Sequence, residues 1–273
     1  MNYYQKKPNL LKIDVNFDKS EFVIEFTGKV LGKDYAKLIS YDTIGQCFDN
    51  INNLGFFYID KEFIMEADVV RCDVAKDIVL DYTEQMSNYI RGHVSNYHKF
   101  ICKKLLNGNL IIEKNVTDKD CQKRLTIYNK EKEMKKKSNR NFVEENQLDN
   151  AFDGKCRIEM NLNTKEPIRK SLGISSTRLG DVLTANKNPL QEFLDEVVKE
   201  NAEQIVVKDK KSYLIGLVLR DCDFDLARVE AKMRELHPKR GTSIKKIMEP
   251  YRAALYGQYQ DTFSMAIIRE QLQ

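Results

Sequence analysis

Three short segments of the chain alternate apolar and polar residues one by one, and this pattern limits the folds that the chain can adopt. The segments are Val70 to Val74, Leu125 to Lys130 and Cys156 to Met160. Successive side chains of a β-strand point to opposite faces of the sheet, so the apolar members of all three segments can enter one core. The opposite face then carries the polar members, namely Arg71, Asp73, Tyr128, Lys130, Arg157 and Glu159.

Two interpretations of this alternation remain open. Any half-solvated antiparallel sheet shows the same pattern, with ordinary ion pairs on its wet face. If the three strands are neighbours, however, two carboxylates, a tyrosine, a lysine and two arginines converge on one surface. Such a set of side chains suits metal-assisted attack on a phosphodiester, although clustered charges mark a functional site in only some proteins.

The hydrophobic periodicity predicts a β-rich N-terminal two-thirds of the chain and a helical C-terminal third. The elements predicted in the first part are a β-hairpin over 11–26, a helix that begins near Thr43, a short strand over 56–59, one long or two shorter helices over about 83–106, and a strand over 110–112. Residues 131–148 are polar and charged, which predicts a solvated helix or a mobile loop. The helices predicted in the last part cover about 189–206, 223–236 and 242–257.

These elements predict an α+β fold with a central, largely antiparallel sheet that is flanked by helices and followed by a helical C-terminal segment. The 273 residues suffice for one large domain or for a main domain with a smaller appendage. We expect a β-rich domain over residues 1–172 and a helical, basic segment over residues 173–273.

The net charge of the chain says little about its partners, but the distribution of charge says more. Lys and Arg number 45 against 41 Asp and Glu, which gives a formal net charge of +4. Residues 130–140 include six basic and two acidic side chains, and residues 231–253 include seven basic and two acidic ones. Local basic patches attract nucleic-acid backbones, whereas in many proteins such a run is only a solvated helix face.

The cysteines and the hydropathy pattern favour a cytoplasmic protein. The six cysteines form no CxxC pair and no His/Cys cluster at zinc spacing, so we expect reduced and mostly buried thiols. The N-terminus is polar and lacks the apolar stretch of a secretory signal. The longest apolar run, from Tyr213 to Leu219, is too short to cross a bilayer, so no membrane partner is expected.

Several common catalytic motifs are absent from the sequence, which leaves carboxylates and tyrosines as the candidates. The chain contains no GxSxG, GxxxxGK[ST] or GxGxxG motif. His93 and His98 are five residues apart, a spacing that does not place them on one helix face, so zinc chemistry is not supported. Carboxylate-rich sites suit Mg²⁺ or Mn²⁺. Tyr128 is a candidate nucleophile, and the alternative is a strand tyrosine that only packs at the sheet surface.

Taken together, the three segments resemble a known family. The order of Arg71-Cys72-Asp73, Arg124 to Glu133 and Arg157-Ile158-Glu159 is similar to that in the rolling-circle replication initiators of small plasmids of the Rep_trans type. It is also similar to that in the related nicking-replication proteins of filamentous phages. The resemblance covers about residues 65–175, and the three motifs are more specific together than each one alone.

The resemblance implies an enzyme that nicks one strand of a replication origin and stays attached to the 5′ end through a phosphotyrosine, while the released 3′-OH primes synthesis. Tyr128 matches the nucleophile of the family, and Lys130 matches a lysine that would contact the scissile phosphate or stabilise the leaving oxygen. The acidic positions that would hold Mg²⁺ or Mn²⁺ are Asp73, Glu133 and Glu159. Glu131 is an alternative to Glu133, and the chain lacks the His-hydrophobic-His metal motif of the wider nicking-enzyme class.

The resemblance also implies DNA as the partner, with an origin that carries a hairpin or inverted repeat. The basic residues expected to contact DNA are Arg71, Arg157, Lys135, Lys136, Lys137, Lys239, Arg240, Lys245 and Lys246. A host helicase and a homodimer remain open as further partners. Tyr82, Tyr89 and Tyr97 are alternative nucleophiles. Two other functions also remain open: a non-catalytic DNA-binding replication or copy-control protein, and a metal-dependent nuclease that uses water as the nucleophile.

Overall fold

The computed structural model describes residues 2–5, 11–94, 100–114, 123–198, 209–222, 225–238, 244–256 and 265–273. The strands are β1 (Asn2–Gln5), β2 (Leu11–Asn16), β3 (Glu21–Glu25), β4 (Cys72–Val79), β5 (Phe100–Lys104), β6 (Leu110–Lys114), β7 (Lys123–Asn129) and β8 (Lys155–Leu162). The helices are α1 (Ile44–Asn52), α2 (Lys61–Ile64), α3 (Glu84–His93), α4 (Lys130–Met134), α5 (Arg140–Glu145), α6 (Lys165–Leu172), α7 (Leu179–Leu183), α8 (Pro189–Val197), α9 (Lys210–Asp221), α10 (Leu226–Leu236), α11 (Ile244–Tyr256) and α12 (Met265–Leu272). This arrangement confirms the predicted α+β fold.

The main sheet has five antiparallel strands in the order β4-β8-β7-β6-β5. The three alternating segments of the sequence therefore lie side by side, with β8 in the middle. Asp73 of β4 pairs with Asn161 of β8, and Arg124 of β7 pairs with the same residue from the other side. This register places the polar members of the three strands on one face of the sheet.

The opposite face of the sheet is the main hydrophobic core. Its central side chains, which include Leu125, Ile127, Ile158 and Met160, are inaccessible to solvent. Residues of α3, α6, α8 and α12 pack against them. Because helices cover one face and polar side chains occupy the other, the strands alternate as a half-buried antiparallel sheet requires. The core also joins α8 and α12, which follow residue 172 in the chain, to the strands that precede it.

An N-terminal layer covers one end of the polar face. Strands β1, β2 and β3 form a separate antiparallel sheet, and a 3-10 segment follows at Gly28–Lys37. This segment kinks at Gly32, where φ is +57° and an added Cβ would lie 2.9 Å from the Asn146 side chain, so only glycine fits without strain. Beyond the kink, Tyr35 is buried against the aromatic rings of Phe142 and Phe152.

The helices α9, α10 and α11 have a small core of their own, which includes Leu219, Val229, Met233 and Met248. This part of the fold agrees with the predicted helical C-terminal segment. Asp209 and Ser212 form a capping box at the start of α9, which satisfies backbone N–H groups that the helix leaves unpaired. In the part of the chain that the structure describes, no helix has the length and apolar character needed to span a bilayer.

Several local predictions were wrong. The helix predicted over 83–106 ends at His93, and residues 100–104 form β5, which pairs with β6 through a turn at Gly108. The apolar residues of this stretch fit helical spacing and strand alternation equally well, so the periodicity did not separate them. The strand predicted over 56–59 is also wrong, because this segment pairs with no strand in the described residues and is held by the Asn52 side chain instead.

Residues 131–148 are less solvated than their composition indicates. They form α4, a 3-10 turn and α5, and the side chains of Met134, Phe142 and Leu148 are buried. The helix predicted over about 189–206 is shorter than expected, because α8 ends at Val197 and the extended Val198 forms a β-bridge with Val94. The start of the helix predicted over about 242–257 lies outside the described residues, since α11 is described from Ile244 and residues 239–243 are not described.

We expect Ile158→Ala to lower the free energy of unfolding by about 3 kcal/mol, because Ile158 is inaccessible to solvent at the centre of the main core and its truncation leaves a cavity. Chemical denaturation followed by circular dichroism measures the change. Val79→Ala is the matched control on the neighbouring strand, since Val79 is 69% exposed and its truncation should change stability by less than about 0.5 kcal/mol. Equal effects of the two variants would contradict the assignment of the core face.

Candidate functional site

The polar face of the main sheet contains three of the five predicted catalytic and metal-binding residues. Asp73 of β4, Glu159 of β8 and Tyr128 of β7 share this face because each alternates with the apolar residues of its strand. Glu159 pairs with Thr126 on one side and with Ala75 on the other, so Asp73 and Tyr128 are its diagonal neighbours on the two flanking strands. The prediction that these three side chains share one face is therefore confirmed. The prediction for Lys130 is wrong, because Lys130 follows β7 as the first residue of α4 and is buried.

Tyr128 is linked directly to Glu159. The phenol oxygen of Tyr128 donates a hydrogen bond to Glu159 Oε2 over 3.2 Å. Burial raises the pKa of Tyr128 well above its usual range, and the Glu159 carboxylate raises it further, while Arg157 acts in the opposite direction. Both effects favour the neutral phenol in this arrangement. Glu159 is placed to accept the proton if the phenol becomes a nucleophile.

Asn161 connects the two carboxylates of the polar face. Its Nδ2 atom donates to Asp73 Oδ1 over 2.8 Å and to Glu159 Oε1 over 3.4 Å. Its Oδ1 atom accepts a hydrogen bond from Nε of Arg124 over 3.2 Å. Because only the amide nitrogen of Asn161 can donate and only its oxygen can accept, these partners fix the orientation of the amide.

Lys130 and Glu133 form a buried ion pair beside the tyrosine. The Lys130 side chain is 2% exposed, and its ammonium donates to Glu133 Oε2 over 2.6 Å and to the Tyr35 phenol oxygen over 2.8 Å. Its Nζ atom also lies 5.8 Å from the centre of the Tyr128 ring. Burial alone would raise the pKa of Glu133, but Lys130 and Asn139 hold that pKa below its usual range. Glu133 is thus a charged partner of Lys130.

Arg157 forms a second buried ion pair. Its Nε and Nη2 atoms donate to the two carboxylate oxygens of Asp77 over 2.6 and 2.7 Å, and both side chains are less than a tenth exposed. Nη1 donates to the Tyr35 phenol oxygen over 3.4 Å. Tyr35 therefore receives hydrogen bonds from both Lys130 and Arg157. In this arrangement Arg157 is engaged inside the protein and does not present its guanidinium at the surface, where the sequence prediction placed a DNA contact.

The structure separates the three predicted metal ligands. Asp73 and Glu159 both accept hydrogen bonds from the Asn161 amide, whereas Glu133 forms an ion pair with Lys130. The alternative ligand Glu131 accepts a hydrogen bond from the Gly154 backbone N–H and pairs with Lys135. Across the described residues, no group of three or more His, Cys, Asp or Glu side chains is close enough together to hold a metal ion. In the described residues, Glu133 therefore does not join Asp73 and Glu159 in one group of carboxylates.

The other predicted DNA contacts lie on different parts of the surface. Arg71 precedes β4, is more than half exposed and lies 3.7 Å from Glu25 of β3. Lys136 and Lys137 are exposed after α4, whereas Lys135 pairs with Glu131. Lys245 and Lys246 are exposed on α11. Lys239 and Arg240 lie outside the described residues, as does the alternative nucleophile Tyr97.

The two other alternative tyrosines lie on the core side of the sheet. Tyr82 donates to the Gly108 carbonyl oxygen over 2.6 Å, and both Tyr82 and Tyr89 pack against the main hydrophobic core. Burial raises the pKa of Tyr82 to about 12. Of these candidates in the described chain, Tyr128 is the one placed beside the carboxylates of the polar face.

Sequence reasoning assigned no role to Asn161, Arg124, Asp77 and Tyr35, although Arg124 begins one of the matched motifs. The first three continue the alternation of their strands on the polar face, so extension of each segment by a few residues would have identified them. No sequence pattern identifies Tyr35, because it lies in a 3-10 segment that is far from these strands in the sequence and reaches the sheet only in the folded protein.

Comparison of the chain with protein-family models, with curated proteins and with solved structures finds no match. The functional assignment therefore depends on the side chains of the polar face.

We expect Asp77→Ala to lower the free energy of unfolding by about 3 to 5 kcal/mol, because it leaves the Arg157 charge buried without its carboxylate partner. Thermal and urea denaturation measure the change. Glu166→Ala is the matched control, since it removes the exposed ion pair between Glu166 and Lys170 on α6 and should cost less than about 1 kcal/mol. If Asp77→Ala were as stable as this control, Arg157 would not depend on Asp77.

Proposed function

We propose that the chain is a replication initiator of a plasmid or phage that nicks one strand of its origin and stays attached to the DNA through Tyr128. The observation that carries this proposal is the continuous hydrogen-bonded chain from the Tyr128 phenol through Glu159 and Asn161 to Asp73. A nucleophile, a proton acceptor and a second carboxylate in such contact are the groups that a nicking reaction requires. The resemblance of the three sequence segments to rolling-circle initiators supports the same function.

The carboxylates of Asp73 and Glu159 fit a divalent cation of the Mg²⁺ or Mn²⁺ type. Mg²⁺ is commonly bound by one or two protein carboxylates together with substrate phosphates and water, so a complete cage of protein ligands is not required. Among the described residues, neither carboxylate forms an ion pair with Lys or Arg, and their shared partner is the neutral Asn161 amide. A bound cation would supply stabilisation of the negative charge on the reacting phosphate.

In the proposed reaction, the Tyr128 oxygen attacks the phosphorus atom, the bond from phosphorus to the 3′ oxygen breaks, and the 5′ end stays on the tyrosine. The phenolic proton passes to Glu159, which already accepts it in a hydrogen bond, and the 3′ oxygen takes a proton from water. The Lys130 ammonium, near the Tyr128 ring, favours the negative charge that develops on the phenol. Lys130 is held in place by Glu133 and Tyr35.

A second candidate function is a non-catalytic DNA-binding replication or copy-control protein. The burial of Lys130 and Arg157 in ion pairs favours this second function, because a polar network of this kind can have the structural role of attaching the N-terminal layer to the sheet and no catalytic role. The two functions differ in one observable product, since only the initiator leaves protein covalently bound to nicked DNA.

We expect Tyr128→Phe to bind origin DNA within about twofold of the unmodified protein and to form no covalent adduct, because the variant keeps the ring and loses the attacking oxygen. The measurement is incubation with supercoiled origin plasmid and Mg²⁺, followed by denaturing electrophoresis. Tyr213→Phe, at a half-exposed position on α9, is the control that should form the adduct normally. Adduct formation by Tyr128→Phe would exclude Tyr128 as the nucleophile.

We expect Asp73→Asn and Glu159→Gln to reduce nicking by at least about a hundredfold while DNA affinity stays within a few-fold, because each change removes a charged ligand but little of the DNA contact surface. The nicking rate at increasing Mn²⁺ concentration is the informative measurement, since weakened metal binding shifts the activation curve to higher concentration. Glu166→Gln, at an exposed position on α6, is the control and should leave the Mn²⁺ activation curve unchanged. Equal losses of affinity and nicking would indicate a structural role.

A further inference from the structure

Arg124 lies on the polar face, four residues before Tyr128 on the same strand. The register places it directly opposite Asn161, and its Nε atom donates to Asn161 Oδ1 over 3.2 Å. The side chain is exposed, and its partner Asn161 also donates hydrogen bonds to the carboxylates of Asp73 and Glu159.

Arg124 differs from three other cations of this region in its partner. Lys130 pairs with Glu133, Arg157 with Asp77 and Lys103 with Glu113. For Arg124, by contrast, no carboxylate of the described chain lies within ion-pair distance, and the recorded partner is a neutral amide. The described residues therefore leave the guanidinium charge without an ion-pair partner, although the arginine is held by its Nε atom.

The buried Asn161 side chain fixes the orientation of Arg124. Asn161 is 7% exposed, and its amide nitrogen is directed to Asp73 and Glu159, so its oxygen remains directed to the arginine. A single row of hydrogen bonds thus joins the Arg124 guanidinium to the Tyr128 phenol through Asn161 and Glu159. An arginine held by Nε still presents Nη donors, and their planar fork matches two oxygens of a phosphate.

We propose that Arg124 binds the non-bridging oxygens of a phosphodiester of single-stranded DNA at the polar face. A phosphate that approaches Asp73 and Glu159 meets two negative charges, and the guanidinium of Arg124 offsets this repulsion at a fixed position beside Tyr128. The identity of the ligand as the DNA strand to be nicked rests on the function proposed above. The contact between Arg124 and a phosphate does not require that the nicking reaction takes place.

The test measures binding of a fluorescent single-stranded origin oligonucleotide by anisotropy, with EDTA present and at several salt concentrations. Arg124→Ala should raise Kd about tenfold or more, because it removes a charge-assisted phosphate contact. It should also reduce the slope of log Kd against log salt concentration by about 0.7. Arg124→Lys should lie between Arg124→Ala and the unmodified protein, since it keeps the charge without the planar fork. Arg169→Ala, at an exposed position on α6, is the control and should bind within twofold of the unmodified protein.

The same variants are then compared for covalent adduct formation with Mg²⁺ at saturating DNA. Absence of an adduct with the unmodified protein would contradict the nicking function, while the anisotropy result would still decide the role of Arg124. An Arg124→Ala protein with unchanged Kd and salt dependence would overturn the proposal. If Arg124→Ala lowers the melting temperature, the Arg124→Lys variant decides the question. An Arg124→Lys protein whose Kd and salt dependence equal those of the unmodified protein would exclude recognition by the guanidinium fork.

Discussion

The pairing of β8 with both β4 and β7 is the constraint on which the candidate site depends. Strand β8 brings Glu159 and Asn161 between Asp73 on one side and Tyr128 with Arg124 on the other. A shift of one residue in either pairing would turn one set of these side chains towards the core. The apolar residues of the opposite face oppose such a shift, because they are buried against α3, α6, α8 and α12. The packing of the core therefore sets the geometry of the polar face.

A second layer of interactions fixes one end of this face. Tyr35 reaches the sheet from the N-terminal 3-10 segment and accepts hydrogen bonds from both Lys130 and Arg157. Each of these cations also has a buried or partly buried carboxylate partner, so their desolvation is compensated. The face is thus divided into a closed end at Tyr35 and an accessible end at Asp73 and Arg124. The accessible end is the part at which the proposed DNA strand would bind.

The sequence was sufficient to predict the class of the fold and three residues that share the polar face. Strict alternation predicted that Asp73, Tyr128 and Glu159 share one face, because the period of a strand admits only two faces. Alternation could not predict that Glu133 pairs with Lys130, since both follow the strand on α4, nor that Tyr35 closes the network, since that contact is tertiary. The stretch that forms β5 was misassigned because its apolar spacing fits a helix as well, and only the pairing with β6 decides between them.

Peptide mapping of the covalent adduct tests the central claim most directly. The unmodified protein would be incubated with single-stranded origin DNA and Mg²⁺, digested with nuclease and protease, and the peptide that retains a nucleotide identified by mass spectrometry. The account predicts a nucleotide on the peptide that contains Tyr128, the tyrosine whose phenol contacts Glu159. A nucleotide on a peptide that contains Tyr82, Tyr89 or Tyr97 instead would contradict it.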